Sequence, residues 1–187
     1  MTVRAKLKNI KNGIQVGDPV PHPESYGNNG HYFEEVLSKN GHNVSAHKGI
    51  DLPEIGAELK TRMNGSGSYQ TVGAINGEDI INLPYEDTHL YDKLQSQYRI
   101  KYDNDLLVVT SASVYDFSDP DIQSKVKEAY EICRQKFING DRSDWIAGSA
   151  FGNLEKQSAN SWQFRISPRA MRTMETIAKS QYKNMFS

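Results

Sequence analysis

Cysteine is almost missing from this chain of 187 residues: Cys133 stands alone. One thiol makes neither an internal disulfide nor a Cys-rich zinc site, which fits a reducing compartment. Its apolar neighbours recur at helical spacing, so Cys133 reads as a small core residue rather than a nucleophile. Long apolar runs are missing too, and nothing approaches the ~18 consecutive apolar residues of a membrane-spanning helix. Residues 1–10 alternate charge with single apolar side chains and hold no apolar block of a secretory signal. A cytoplasmic location is the expectation. Neither sign of charge prevails, with 22 Lys+Arg against 23 Asp+Glu. That balance excludes a uniformly basic nucleic-acid coat and a basic membrane-surface protein, but not a local basic surface. No internal repeat of ~20–50 residues is visible. The length suits a single domain, since domains run to ~100–200 residues.

What is present divides the chain into recognisable pieces. Residues 1–30 carry Gly13, Gly17, Pro19, Pro21, Pro23, Gly27 and Gly30, a density of breakers that predicts an irregular arm. Phe33, Val36 and Leu37 share a helical face, and Gly41 closes that helix. Residues 57–63 and 69–75 read as strands joined hairpin-fashion by Asn64-Gly65-Ser66-Gly67-Ser68. Residues 85–98 read as a helix, with Leu90 and Leu94 four apart. The apolar run within residues 105–114 suggests a central strand buried on both faces.

Asp119-Pro120 opens the clearest helix, with Ile122, Val126, Ala129, Cys133 and Phe137 on one side and Asn139-Gly140 at its end. Residues 161–166 are a strand candidate, and Ser167-Pro168 starts a last helix carrying Met171, Met174, Ile177 and Ala178. Helices and strands so ordered predict a mixed α/β or α+β domain built on one central sheet.

Chemistry concentrates in residues 47–61. Asp51 precedes Glu58 by seven residues, and Lys60 stands two beyond Glu58. On a strand, residues two apart project to one face, so Glu58 and Lys60 point together while Leu59 faces the core. Pro53 and Gly56 permit a turn that brings Asp51 beside Glu58. Two converging carboxylates repel unless a cation lies between them, which makes them a natural site for a hard, oxygen-preferring ion such as Mg2+. The backbone C=O of Leu59 is a further possible ligand. A metal ion beside an ammonium is an apparatus for phosphodiester hydrolysis: the ion activates water and polarises the phosphoryl group, and Lys60 orients the attacking water.

Asp51 with Glu58-Leu59-Lys60 resembles the motif of the PD-(D/E)xK restriction-endonuclease-like nucleases. The fuller string Asp51-Leu52-Pro53-Glu54-Ile55-Gly56-Ala57-Glu58-Leu59-Lys60-Thr61 is similar to their MutH-type branch. Phe33-Glu34-Glu35-Val36-Leu37 resembles that branch's upstream helix, which adds an acidic side chain, here Glu34. The segment 87–94, with Thr88-His89 and Lys93-Leu94, resembles its Thr-Ser-His segment and following Lys-Leu, so Lys93 corresponds to an additional active-site lysine. Residues 162–170 resemble its late strand-to-helix corner. Four segments in one order span residues 32–170. Ser167 stands where that corner expects an arginine, with Arg165 two residues earlier. The chain also looks shorter than the mismatch-repair enzyme at its C-terminal end. Both departures suit a restriction or phage nuclease with its own target better than a repair nickase.

The resemblance implies a restriction-endonuclease-like core, a mixed central β-sheet flanked by helices. It also implies Mg2+-dependent cleavage of double-stranded DNA at a specific sequence, as in type II restriction enzymes, leaving 5′-phosphate and 3′-hydroxyl ends. Mn2+ is a possible substitute ion. Asp51, Glu58, Lys60, Lys93 and Glu34 are the catalytic candidates. Lys48, Arg62, Asn64, Gln70, His89, Arg165 and Arg169 are candidates for contacting bases or phosphates, since Asn and Gln pair with adenine and Arg with guanine. His47 shares the position of Lys48 close before Asp51. For His89 a structural hydrogen bond is the stronger expectation, and Trp145, Trp162, Tyr85 and Tyr98 read as core or rim aromatics. A homodimer, a monomeric nickase and the cleaving subunit of a heteromeric restriction or repair enzyme all remain open. So does a non-catalytic DNA-binding module on the same scaffold.

Overall fold

A helix over 29–39 forms because Phe33 and Leu37 make one apolar stripe, and it ends where Gly41 takes a φ of +89°. There His42 N donates to Leu37 O at 3.0 Å, satisfying a terminal carbonyl. In the computed structural model, which describes residues 13–22, 29–45 and 49–184, this helix is α1, Asn29–Lys39. Lys48 and His47 lie outside the described residues, as does much of the expected arm. The elements that follow α1 are β1 (Glu58–Met63), β2 (Gln70–Asn76), α2 (Gly77–Asn82), a 3-10 turn (Tyr85–Asp87) and α3 (His89–Lys93). Then come β3 (Ser96–Asp103), β4 (Val108–Asp116), α4 (Pro120–Ile138), β5 (Trp145–Ala147), β6 (Gly152–Ser158), β7 (Ser161–Ile166) and α5 (Pro168–Asn184). The fold class is mixed α/β.

The strands form two sheets among the described residues, one of three strands and one of four, rather than the one central sheet expected. The chain correspondingly gathers into two compact units. One draws on Met1–Ser66 and Ser96–Asp116, the other on Gly67–Gln95 and Phe117–Ser187.

In the first unit the sheet order is β1-β3-β4, with β1 parallel and β4 antiparallel to β3. One face carries Leu59, Tyr98, Ile100 and Val114, which bury against Phe33 and Leu37 of α1 and against Ile14, Val20, Leu52 and Ile55. The other carries Glu58, Lys60 and Arg62 beside Gln97, Arg99 and Lys101. Period-two alternation therefore divides this sheet into an apolar side and a charged one. β4 is an edge strand, not the doubly buried centre; β3 holds that place. The leucines of the apolar run belong to the β3–β4 turn, where Leu106 is 72% exposed and Leu107 has a φ of 52°. Residues of the arm cover part of the β4 edge. Gly17 N donates to Val109 O, Val109 N to Asp18 O and Val20 N to Leu107 O, at 2.8, 2.9 and 2.8 Å.

In the second unit the order is β2-β7-β6-β5, all antiparallel. α4 packs on this sheet. Tyr130 meets Phe164 at 5.7 Å between ring centroids and Phe137 meets Trp162 at 4.8 Å, both edge to face. Asp119 caps α4, its Oδ1 accepting from Asp121 N at 2.9 Å, with Pro120 in the first turn. Gly148 lets the backbones meet closely: a Cβ there would stand 2.4 Å from Ala129 O. Ser167 Oγ accepts from Ala170 N at 3.1 Å at the start of α5.

Two local expectations are corrected. β1 and β2 do not form a hairpin: β1 pairs with β3 and β2 with β7, and the Gly-Ser loop carries the chain from one sheet to the other. The helix over 85–98 is only the 3-10 turn and the five residues of α3; the chain is extended from Ser96. Thr88 interrupts it by closing the 3-10 turn, its Oγ1 donating to Tyr85 O at 2.7 Å. Beyond it the alternation Gln97-Tyr98-Arg99-Ile100-Lys101-Tyr102 fits a strand.

Candidate active site

The turn between Asp51 and Glu58 is a closed loop. Leu52 and Ala57 exchange backbone bonds, Leu52 N to Ala57 O at 2.9 Å and Ala57 N to Leu52 O at 3.2 Å. Gly56 completes the turn at φ +59°, a left-handed conformation that glycine adopts without steric cost. Leu52, Ile55 and Ala57 are buried and anchor the loop in the core. Its closure sets Asp51 beside the start of β1.

The two carboxylates are then held reciprocally. Leu59 N donates to Asp51 Oδ2 at 3.0 Å, and Glu58 Oε2 stands 3.4 Å from Asp51 N. On the same face, Lys60 Nζ donates to Glu58 Oε1 at 3.0 Å. Glu58 is 2% exposed, and the Lys60 side chain 20%. The site thus has a buried carboxylate, a half-buried one and an ammonium within direct reach of the first. Leu59 turns its side chain into the core while its backbone stays at the site.

A divalent ion would find two anionic oxygen donors here plus the Leu59 carbonyl, a hard donor set suited to Mg2+ or Mn2+. Among the described residues, no group of three or more His, Cys, Asp or Glu side chains comes together to hold a metal. Glu34 lies on α1, where its Oε2 meets His31 Nδ1 at 3.0 Å.

The other candidates have varied positions. Arg62 Nη2 donates to Ser66 O at 2.7 Å, and Asn64 Oδ1 accepts from Thr110 Oγ1 at 3.1 Å, so both brace the loop after β1. Lys93, His89, Gln70, Arg165 and Arg169 belong to the second unit. His89 Nε2 is 2.7 Å from Ala74 O, the structural bond expected of it. Lys93 runs past Gly73, where an added Cβ would come within 3.3 Å of its Cδ. Gln70 is buried at the start of β2. Arg165 pairs with Glu155 and reaches Tyr69 O, and Arg169 is exposed on α5. Of the four aromatics, Trp162, Tyr85 and Tyr98 are core residues and Trp145 is an exposed rim residue beside Tyr69.

Gln97 and Arg99 are absent from any motif. β3 runs in register beside β1, placing Gln97 next to Glu58 and Arg99 next to Lys60. Their alternation with Tyr98 and Ile100 is the one local signal; the pairing partner leaves none. Cys133 is buried, with its Sγ donating to Ile146 O at 3.2 Å, and burial pushes its thiol up to about 11. Such a thiol is inert at neutral pH.

No family model matches the chain, and no similar curated protein is found. Among the described residues, no helix is long and apolar enough to cross a membrane.

Proposed function

We propose that this chain is a Mg2+-dependent endonuclease of restriction-endonuclease-like type, cleaving double-stranded DNA at a specific sequence. The observation that carries this reading is the reciprocal fastening of Asp51 and Glu58 across a closed turn, with Lys60 bonded to Glu58 on the same face. Asp51, Glu58 and the Leu59 carbonyl would hold the ion. When bound, it supplies charge to polarise the phosphoryl oxygens and to lower the pKa of a coordinated water.

The chain's own residues do the rest. The closed turn fixes both carboxylates before any substrate arrives, so little reorganisation is left for the reacting complex. Lys60, tethered at 3.0 Å to Glu58 Oε1, keeps its ammonium beside the position of the attacking water and of the phosphate charge that develops. Arg62, on the same strand face, adds a second cation toward DNA phosphate. Association carried by Lys and Arg on phosphate weakens steeply with salt.

Supercoiled plasmid incubated with Mg2+ tests the reading. Wild type is expected to nick or linearise it, with loss in EDTA, in Asp51→Ala and in Lys60→Ala. Cleavage surviving both substitutions overturns the catalytic assignment. DNA binding without cleavage under Mg2+ or Mn2+ supports the non-catalytic module instead.

A further inference from the structure

Leu154 and Phe164 lie on the face of the second sheet that meets α4, where Phe164 packs on Tyr130. Period-two alternation puts Trp145, Glu155 and Arg165 on the other face, with Trp145 opposite Glu155 in register. Trp145 is 45% exposed there, whereas Trp162, the other tryptophan of the chain, is 2% exposed. A half-exposed indole is a large planar surface with one end apolar and the other wet.

The setting of Trp145 is built by its neighbours. Ser143 Oγ donates to Trp145 O at 3.1 Å, and the indole meets Tyr69 edge to face at 5.2 Å between ring centroids. Arg165 pairs with Glu155, and its Nη2 donates to Tyr69 O at 3.3 Å. One guanidinium thus ties the residue opposite Trp145 to the segment whose ring packs on the indole.

Beside Trp145 opens a hollow of about 440 Å³, lined by Asp144, Trp145, Glu155, Lys156, Gln157 and Ser158. Small-molecule sites are of this size, ~300–1,000 Å³. One wall is the aromatic surface, and the rest offers carboxylates, an amide and a hydroxyl. The carboxylates of Asp144 and Glu155 are matched by the ammonium of Lys156 and the guanidinium of Arg165, so neither a cationic peptide nor a bare anion is favoured. A flat neutral ring bearing an amino group fits: its face lies on the indole, and its amine donates to a carboxylate. Cytosine and adenine are such rings, and carboxylates accept from the cytosine amine in this way. Within a duplex the faces of a base are stacked on its neighbours, so only an unstacked base can lie on an aromatic side chain.

We propose that the hollow beside Trp145 binds one unstacked, amino-bearing nucleobase. Choosing a nucleobase among flat amino-bearing rings rests on reading the chain as a DNA-cutting enzyme. The contact itself uses neither metal nor cleavage, and its residues all belong to the second unit, whereas Asp51, Glu58 and Lys60 belong to the first.

Tryptophan fluorescence of the full chain in EDTA, titrated with single-stranded oligo(dC) and oligo(dT), tests this. Oligo(dC) is expected to quench Trp145 and to bind more tightly than oligo(dT), whose base has no exocyclic amine. Trp145→Phe should lose the quenching yet keep oligo(dC) affinity, read by anisotropy of a labelled strand, within about threefold, because a ring remains to stack. Trp145→Ala should weaken that affinity at least about fivefold, the lower end of what one base stacked on an aromatic ring contributes. Thermal melts check that both variants fold. Quenching that persists in Trp145→Phe, unchanged affinity in folded Trp145→Ala, or equal binding of the two oligonucleotides overturns the proposal. So does quenching by maltohexaose and not by oligo(dC), which would make the hollow a sugar site. Plasmid cleavage without this quenching defeats the base site and leaves the enzymatic reading intact. Quenching by a chain that cleaves nothing supports the base site and defeats the enzymatic reading instead.

Discussion

Asp51 and Leu59 are joined by a hydrogen bond of 3.0 Å from the backbone N of Leu59 to Oδ2 of Asp51, eight residues along the chain. The same carboxylate proposed to hold a metal ion therefore also closes a loop onto β1. Structure and chemistry at this residue can be separated by substitution. Asp51→Asn keeps an acceptor oxygen and is expected to change stability by no more than about 1 kcal/mol, whereas Asp51→Ala forfeits the bond and loses about 1–2 kcal/mol. Both should lose Mg2+-dependent cleavage. Urea melts and plasmid nicking on both variants check this, and a cleaving Asp51→Asn would contradict it.

Gly56 ties that loop to its conformation. At φ +59°, with open space where a methyl group would stand, an alanine would suffer backbone strain without a side-chain clash. Gly56→Ala is expected to destabilise the protein by about 1–2 kcal/mol, the cost of a left-handed L-residue, and Gly56→Asn by less. Denaturant midpoints measure both. Equal stability for wild type and Gly56→Ala would mean the turn relaxes to another shape.

Cys133 makes a pH prediction. Burial pushes its thiol up to about 11 in the folded protein, above the ~8.5 of an unfolded thiol. The folded state thus binds this proton more tightly. The associated stability is fully present below pH ~8.5 and is lost as pH rises toward 11. The stability difference between wild type and Cys133→Ala should therefore shrink between about pH 8 and pH 10.5, as read from urea midpoints. An unchanged difference would contradict the thiol's part in it.

The start of α4 rests on Asp119, whose Oδ1 accepts from Asp121 N at 2.9 Å and Ile122 N at 3.3 Å. Asp119→Ala is expected to lower stability by about 1 kcal/mol, and Asp119→Ser by less, because a hydroxyl still caps. Thermal or urea unfolding of the two variants gives the comparison.

How far the sequence reaches can be judged from particular elements. α4 is legible in full: Asp119, Pro120, the spacing through Phe137 and Asn139-Gly140 all act within a turn or two of the chain, and β7 emerges over 161–166 as expected. The pairing of strands is not. The Gly-Ser loop after β1 looks like a hairpin turn locally, and only the distant partners Gln97 and Ile166 show that β1 and β2 enter different sheets. The short strand β5 and β6, with its glycine and charged residues, carry too little alternation to be seen.

The site divides in the same way. Asp51, Glu58 and Lys60 come together through a turn of six residues and a strand, all short-range chemistry that Pro53 and Gly56 announce. Gln97 and Arg99 come to stand beside Glu58 and Lys60 on the neighbouring strand through register alone. Glu34 fits a helix that the sequence predicts, yet its carboxylate meets His31, a neighbour one turn away.

Lys60→Met is the substitution on which the proposed chemistry stands or falls. It keeps a long side chain of similar reach and removes the ammonium while leaving Asp51 and Glu58 as metal ligands. Plasmid cleavage at saturating Mg2+, with DNA binding measured in Ca2+, separates its part in chemistry from any part in docking. Cleavage should slow by two orders of magnitude or more, roughly the scale on which a positioned catalytic group acts. DNA affinity should stay within about threefold of wild type, as expected for the loss of one phosphate-range charge. Cleavage by Lys60→Met at the wild-type rate would contradict an active site built on Asp51, Glu58 and Lys60.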